Sequence, residues 1–243
     1  MLSKNQIKLI KSLSQKKFRQ QLNLFTVEGP KGISEFLNSQ FKLRNLYTID
    51  PIFEVAEDHQ TLISQSDLKR ISNLKTPNTA IAIFEMPNSQ TLAIDGLVVA
   101  LDDVRDPGNL GTIIRLCDWY SVEHIICSET TVDCFNPKVV QATMGSLTRV
   151  TVHYQNLRAF ITSTELTTYA AVMDGADLYK TKLSSNGVIV FGNEAKGISK
   201  EIEQCVDHKI TIPRFGQQLT ESLNVANATA VVLSEFRRRS IEM

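Results

Sequence analysis

Leu97-Val98-Val99-Ala100-Leu101 is an unbroken apolar run, and apolar-rich segments return at His124–Cys127, Thr168–Met173, Val188–Phe191 and Lys209–Ile212. A strand without polar alternation is buried on both faces. Helical stretches at Asn109–Tyr120 and Pro137–Met144 lie between these segments, and one at Ser222–Arg239 follows them. Strands that alternate with helices imply a mostly parallel sheet with helices on both faces. That architecture fixes where a ligand can sit, because its binding loops leave the carboxyl ends of the strands.

The first ~90 residues read as a separate, smaller α/β unit. Residues 3–21 form a basic helix, with Ile7, Ile10 and Leu13 at helical spacing and Lys4, Lys8, Lys11, Lys16, Lys17 and Arg19 around them. A strand at Leu24–Val27, a helix begun by Pro30, a strand at Leu46–Ile49, a helix at Ser66–Leu74 and a strand at Ala80–Phe84 follow. Pro87-Asn88-Ser89 supplies a linker. The expected domains are therefore 1–88 and 95–243.

Lys+Arg and Asp+Glu are both 26, so net charge exerts no overall pull on nucleic acid, and any RNA contact must come from local patches. Cys117, Cys127, Cys134 and Cys205 lack metal-site spacing and sit in mostly apolar surroundings, as buried thiols do in a reducing compartment. No signal peptide is visible at the N-terminus, and no apolar run approaches the roughly 20 residues that span a bilayer. A cytoplasmic protein is expected.

Three loops carry the chemistry. The first, Asp102–Gly111, leads into a helix bearing Arg115 among Ile113, Ile114 and Leu116. Gly108 and Gly111 permit a tight turn, and Asn109 can cap the helix. Arg115 is either a ligand-binding cation or one half of a structural salt bridge to Asp102, Asp103 or Asp106. The three aspartates also raise a Mg²⁺ site, although solvated loop charges are commoner.

The second loop, Gly192-Asn193-Glu194-Ala195-Lys196-Gly197-Ile198-Ser199, nearly matches a phosphate-binding P-loop, but Ile198 stands where the lysine is required. The third runs from Ile212 to Asn224 and places Ser222 and Asn224 at the start of the last helix, where free N–H groups point and where Thr220 or Ser222 could cap. Ala226 and Ala230 share one face of that helix. Arg237, Arg238 and Arg239 lie at its C-terminal end, where the dipole favours cations.

In order and spacing these segments resemble the motifs of the SpoU/TrmH branch of the SPOUT methyltransferases. DDVRDPGNLGTIIR is similar to the first motif, VIVFGNEAKGIS to the second and ITIPRFGQQLTESLNVANATA to the third. KLIKSLSQKKFRQQLNLFTVEGPKGISEFL resembles, more loosely, the L30e-like substrate-binding domain of rRNA-directed members. The resemblance implies a C-terminal trefoil knot, S-adenosyl-L-methionine (SAM) bound in it largely by backbone groups, and a homodimer whose active site uses both chains.

The implied reaction is methyl transfer to a ribose 2′-hydroxyl in RNA, of the 23S rRNA type. The same reaction on tRNA and a non-catalytic RNA-binding module are the alternatives. The implied catalytic residues are Arg115, Asn109, Glu194, Ser222 and Asn224. SAM contacts are implied for Thr143, Met144, Gly145, Gly192, Asn193, Glu194, Gly197, Ile212, Ser222 and Leu223, and RNA contacts for Lys16, Lys17, Arg19 and Arg115, with no metal. Ser121, Ala195, Arg214 and the longer Gly216–Ser222 loop depart from the commonest motif forms. A guanidinium stays protonated, so Arg115 is either an unusual base or a clamp on the adjacent phosphate.

Overall fold

The computed structural model of the protein describes residues 2–87, 95–216 and 222–241. Most of the expected linker, and Thr220 as a possible cap, lie outside the described residues. The first stretch forms α1 (Lys4–Ser12), α2 (Lys16–Leu22), β1 (Leu24–Glu28), α3 (Pro30–Leu37), β2 (Leu43–Thr48), β3 (Gln60–Leu62), α4 (Gln65–Ile71) and β4 (Ala80–Glu85). The remainder forms β5 (Leu97–Leu101), α5 (Pro107–Trp119), β6 (His124–Cys127), α6 (Pro137–Thr143), β7 (Thr151–Tyr154), α7 (Leu157–Ser163), β8 (Thr168–Asp177), β9 (Gly187–Phe191), α8 (Lys200–Glu203), β10 (His208–Thr211) and α9 (Val225–Ile241). The chain divides into two compact units, Met1–Thr91 with Asp133–Thr148, and Leu92–Val132 with Arg149–Met243.

In the first unit the expected basic helix is two helices. Ser3 opens α1 with a capping box shared with Gln6. The hydroxyls of Ser12 and Ser14 then donate to the carbonyls of Leu9 and Lys11, which draws those carbonyls away from a continuing helix. Ile10 and Leu13 enter a core with Tyr47, Leu68, Ile71, Ile81 and Ile83. The sheet order is β1-β4-β2-β3, antiparallel except for the β2–β3 pair.

Arg19 corrects the expectation of an RNA contact. Its side chain is 1% exposed, its guanidinium donates to the carbonyls of Leu13 and Ser14, and it forms an ion pair with Asp133. Lys16 and Lys17 are exposed. The pair with Asp133 and the packing of Phe135 on Phe25 (ring centroids 4.7 Å apart) hold the 133–148 segment in the first unit.

The second unit is built on a parallel sheet of order β10-β8-β9-β5-β6-β7. β5 and β9 are buried at every position, as their unbroken apolar runs require. From β5 the chain adds β6 and β7 on one side, and it later places β9 and β8 on the other. The winding therefore reverses between β5 and β9, where ligands bind in open α/β sheets. At the β8–β10 pair Lys209 lies opposite Ala170 but Ile210 lies opposite Ala176, so residues 171–175 stand out of the ladder.

The final helix α9 packs on α5. Arg237 donates to the carbonyls of Tyr120 and Ser121 at the end of α5 (2.6 and 2.7 Å). Arg239 donates to the carbonyls of Thr181 and Tyr179. These specific partners replace the general dipole account of the arginine cluster. No helix among the described residues is long and apolar enough to cross a membrane.

Glu235 is 5% exposed and accepts hydrogen bonds from both Arg238 and Arg239. The Arg238 bond, against the opposing effect of burial and with Arg239 adding to it, holds its carboxyl at about 2 rather than 4.5. A depressed carboxylate adds stability that is fully present above 4.5 and is lost as pH falls towards 2. Glu235→Gln is expected to lower stability at pH 7 by about 2–3 kcal/mol. Denaturant unfolding at several pH values should also show a shallower acid loss below pH 4.5 in the variant.

Candidate active site

Two of the three loops meet at the reversal between β5 and β9. The Asp102 carboxylate accepts from the Ser199 N–H (2.7 Å), and the Asp102 N–H donates to the Phe191 carbonyl (2.9 Å). Asp106 caps α5 by accepting from the Asn109 N–H (2.8 Å), and Pro107 opens the helix. The cap expected of Asn109 thus belongs to Asp106. Gly108 and Gly111 lie inside α5 rather than in a turn.

The Asn109 side chain is free to bridge the loops. Its amide donates to Glu194 Oε1 (2.9 Å), and its oxygen accepts from the Asn224 amide (2.9 Å). The Asn224 oxygen accepts from the Ala226 N–H (2.9 Å), so Asn224 rather than Ser222 caps α9. One hydrogen-bonded relay, Glu194–Asn109–Asn224, therefore joins all three loops.

The Gly192–Ser199 loop is a closed turn. Asn193 and Gly197 exchange backbone hydrogen bonds, and Asn193 Oδ1 accepts from the N–H groups of Ala195 and Lys196. A P-loop turns such N–H groups outward around phosphates. Here they turn inward, which excludes the P-loop hydrolase on geometry as well as on Ile198. A Cβ at Gly192 would lie 2.2 Å from Gly197 C and Ile198 N, so only glycine lets the two arms of the turn meet.

A cavity of about 800 Å³ opens beside this turn. Its volume lies in the range of small-molecule sites. Leu178, Phe191, Ile210, Ile212, Val225 and Val232 give it apolar walls, and Asp174, Glu194 and Glu203 add carboxylates. Gly192, Asn193, Gly197, Ser222, Leu223 and Asn224 also line it. The displaced stretch of β8, Ala171–Asp174, lines it too. No motif marks that stretch, because its place depends on a register jump with β10 that pattern does not encode.

Asn109 and Arg115 are not among the lining residues. Arg115 is exposed and makes no hydrogen bond or ion pair with any described residue. The three aspartates of the preceding loop are engaged elsewhere: Asp102 with Ser199, Asp103 with Arg105 and Asp106 with the α5 terminus. For the same reason they do not converge on a cation, and among the described residues no three His, Cys, Asp or Glu side chains are grouped to hold a metal. Burial alone would raise the Asp103 carboxyl, but hydrogen bonds from Arg105 and Thr130 and the charges of Arg105 and Lys196 hold it below the usual range.

Thr143, Met144 and Gly145 close α6 and are not among the residues that line the cavity. The Thr143 hydroxyl donates to the Val140 carbonyl with its side chain fully buried, and the Gly145 backbone packs on Glu35.

Comparison with known proteins identifies two family models in the chain: the SpoU rRNA Methylase family over residues 96–234, and the MRM3-like substrate binding domain over residues 4–82. The 23S rRNA (guanosine(2553)-2′-O)-methyltransferase RlmP of Bacillus subtilis is 29% identical, with 97% of each chain covered. A Porphyromonas gingivalis structure assigned to the TrmH family of RNA methyltransferases superposes with a TM-score of 0.90 at 37% identity, covering 98% of this chain and 99% of that one. The AdoMet-bound rRNA methyltransferase of Sinorhizobium meliloti superposes with a TM-score of 0.88 at 29% identity, covering 98% and 97%.

Proposed function

Because the chain belongs to the SpoU rRNA Methylase family, we propose that it transfers a methyl group from SAM to a ribose 2′-hydroxyl in RNA, and that this RNA is ribosomal, of the 23S type. The observation that carries the reading is the Glu194–Asn109–Asn224 relay beside the cavity, with Arg115 left exposed and unengaged on the same helix as Asn109. The cavity suits the cofactor. Its apolar walls can take a nucleoside base, its backbone-rich loops can bind without side-chain specificity, and its carboxylates suit a cofactor that carries a sulfonium cation. When bound, SAM supplies an electrophilic methyl group.

The protein's residues supply the rest. Gly192, Asn193, Gly197, Ile212, Ser222 and Leu223 hold the cofactor. Glu194 fixes Asn109, and Asn224 fixes it from the other side, so the start of α5 keeps its place relative to the cavity. Arg115 clamps the phosphate next to the reacting ribose and stabilises the 2′-oxygen as its proton leaves to water. With SAM bound, that oxygen would take the methyl group as the methyl–sulfur bond breaks and the uncharged thioether leaves.

Six residues at about 100° each carry Arg115 roughly 120° away from the Asn109 side of α5. In one chain the arginine therefore faces away from its own relay, which favours a homodimer in which Arg115 serves the partner's cavity. Exposed Lys16 and Lys17 on α2, with Lys4, Lys8 and Lys11 on α1, offer the first unit's RNA contacts. The trefoil knot and a cytoplasmic location belong to the same reading.

The test is incubation of the purified protein with labelled SAM and rRNA from cells that lack it, with nucleoside mass spectrometry as readout. A 2′-O-methylated nucleoside in 23S rRNA and a sedimenting mass twice 27.2 kDa are expected. Transfer to tRNA alone would favour that substrate. RNA binding without transfer would make the chain a binding module.

A further inference from the structure

Arg105 takes no part in the Glu194–Asn109–Asn224 relay. It lies in the loop between β5 and α5, its side chain is 65% exposed, and its Nε donates to Asp103 Oδ1 at 2.9 Å. Its Nη1 and Nη2 have no partner among the described residues. It does not line the cavity.

Asp103 is built into its place from several sides. Its N–H donates to Ser128 Oγ (2.9 Å), and its carbonyl accepts from Asn193 Nδ2 (2.7 Å). Its carboxylate is engaged by Thr130 and Arg105 and feels the charge of Lys196. Its backbone is left-handed, with φ 59°. Aspartate is one of the few side chains that reach this region, and the surrounding hydrogen bonds hold it there. An exposed ion pair adds little to stability, so the Asp103–Arg105 pair serves mainly to aim the guanidinium.

The arrangement fixes one edge of the guanidinium and leaves the other open. That open edge presents two N–H donors in the fork that a phosphate accepts. Asn193 ties Asp103 to the turn that carries Glu194, so the fork is referenced to the catalytic relay.

We propose that Arg105 binds a backbone phosphate of the substrate RNA strand near the reacting ribose, and that Asp103 is its positioning residue. The proposal rests on the RNA methyltransferase reading. It assigns to this loop a contact distinct from that of Arg115, which lies on the body of α5.

The test measures methylation of rRNA from cells lacking the protein, and direct binding of the same RNA, over a range of salt. Wild type, Arg105→Ala, Arg105→Lys and Asp103→Asn are compared. Arg105→Ala is expected to raise KM for RNA about fivefold to tenfold, with the change falling on KM rather than kcat. It should also reduce the slope of log affinity against log salt by about 0.7–0.9. SAM affinity should stay at its wild-type value.

Arg105→Lys should recover most of the salt slope but only part of KM, because it keeps the charge and loses the fork. Asp103→Asn should raise KM for RNA less than Arg105→Ala does and keep the wild-type salt slope. Wild-type KM and salt slope in Arg105→Ala would overturn the proposal, as would a loss confined to SAM affinity or thermal stability. A wild-type protein that binds rRNA and methylates nothing would overturn the proposed function instead, and the binding slope would still decide the case of Arg105.

Discussion

Replacement of Arg115 by alanine is expected to lower 2′-O-methylation by roughly a thousandfold while cofactor binding and folding stay intact. The size follows from the role. A preorganised cation at a developing alkoxide and its adjacent phosphate acts mainly in the transition state, so its loss falls on kcat. The clean separation follows from the structure. Arg115 is exposed, has no partner among the described residues and does not line the cavity. Removing such a side chain should change stability by no more than about 0.5 kcal/mol. Arg115→Lys should recover little, because a point charge does not reproduce the planar fork. Single-turnover kinetics beside calorimetric SAM binding read the two effects separately. Wild-type turnover in Arg115→Ala would remove the arginine from the mechanism.

Replacement of Gly192 by alanine is expected to abolish cofactor binding, with Kd for SAM raised about a hundredfold or more. The added Cβ would meet the backbone of Gly197 and Ile198 at 2.2 Å, and backbone cannot swing aside as a flexible side chain can. The turn must open, which would break the Asn193–Gly197 pairing and move Glu194 away from Asn109. A stability loss of about 2–3 kcal/mol should accompany it. Calorimetric titration with SAM and thermal unfolding test both effects. Near-normal SAM affinity in a folded Gly192→Ala protein would place the cofactor away from this turn.

The sheet was legible where burial is complete. β5 and β9 carry no polar residue to alternate, and no reading except a doubly covered strand suits them. β7 was missed because an edge strand needs no such run: Thr151-Val152-His153-Tyr154 is mostly polar and only partly buried. Arg19 was misread because charge implies solvent unless a partner is known, and its partner Asp133 is 114 positions away.

Within the site, motif spacing placed Glu194 and Asn224 on two loops but could not say that both bond to Asn109. Local reading gave Asn109 the cap because asparagine caps well, yet Asp106 sits at the true helix start and leaves the amide free. That release makes the relay possible. It becomes visible only once three loops, 85 and 115 positions apart along the chain, are brought together. Ala171–Asp174 carried no signal, since alanine and valine in a strand read as core.

The most direct measurement is a map of ribose methylation across total RNA from cells with the protein, without it, and with the Arg115→Ala form in its place. One 2′-O-methyl mark in the large-subunit rRNA is expected to disappear without the protein and to be restored by the wild type but not by the variant. An unchanged map would take methyl transfer away from this protein, and a mark restored equally well by Arg115→Ala would remove the arginine from the reaction.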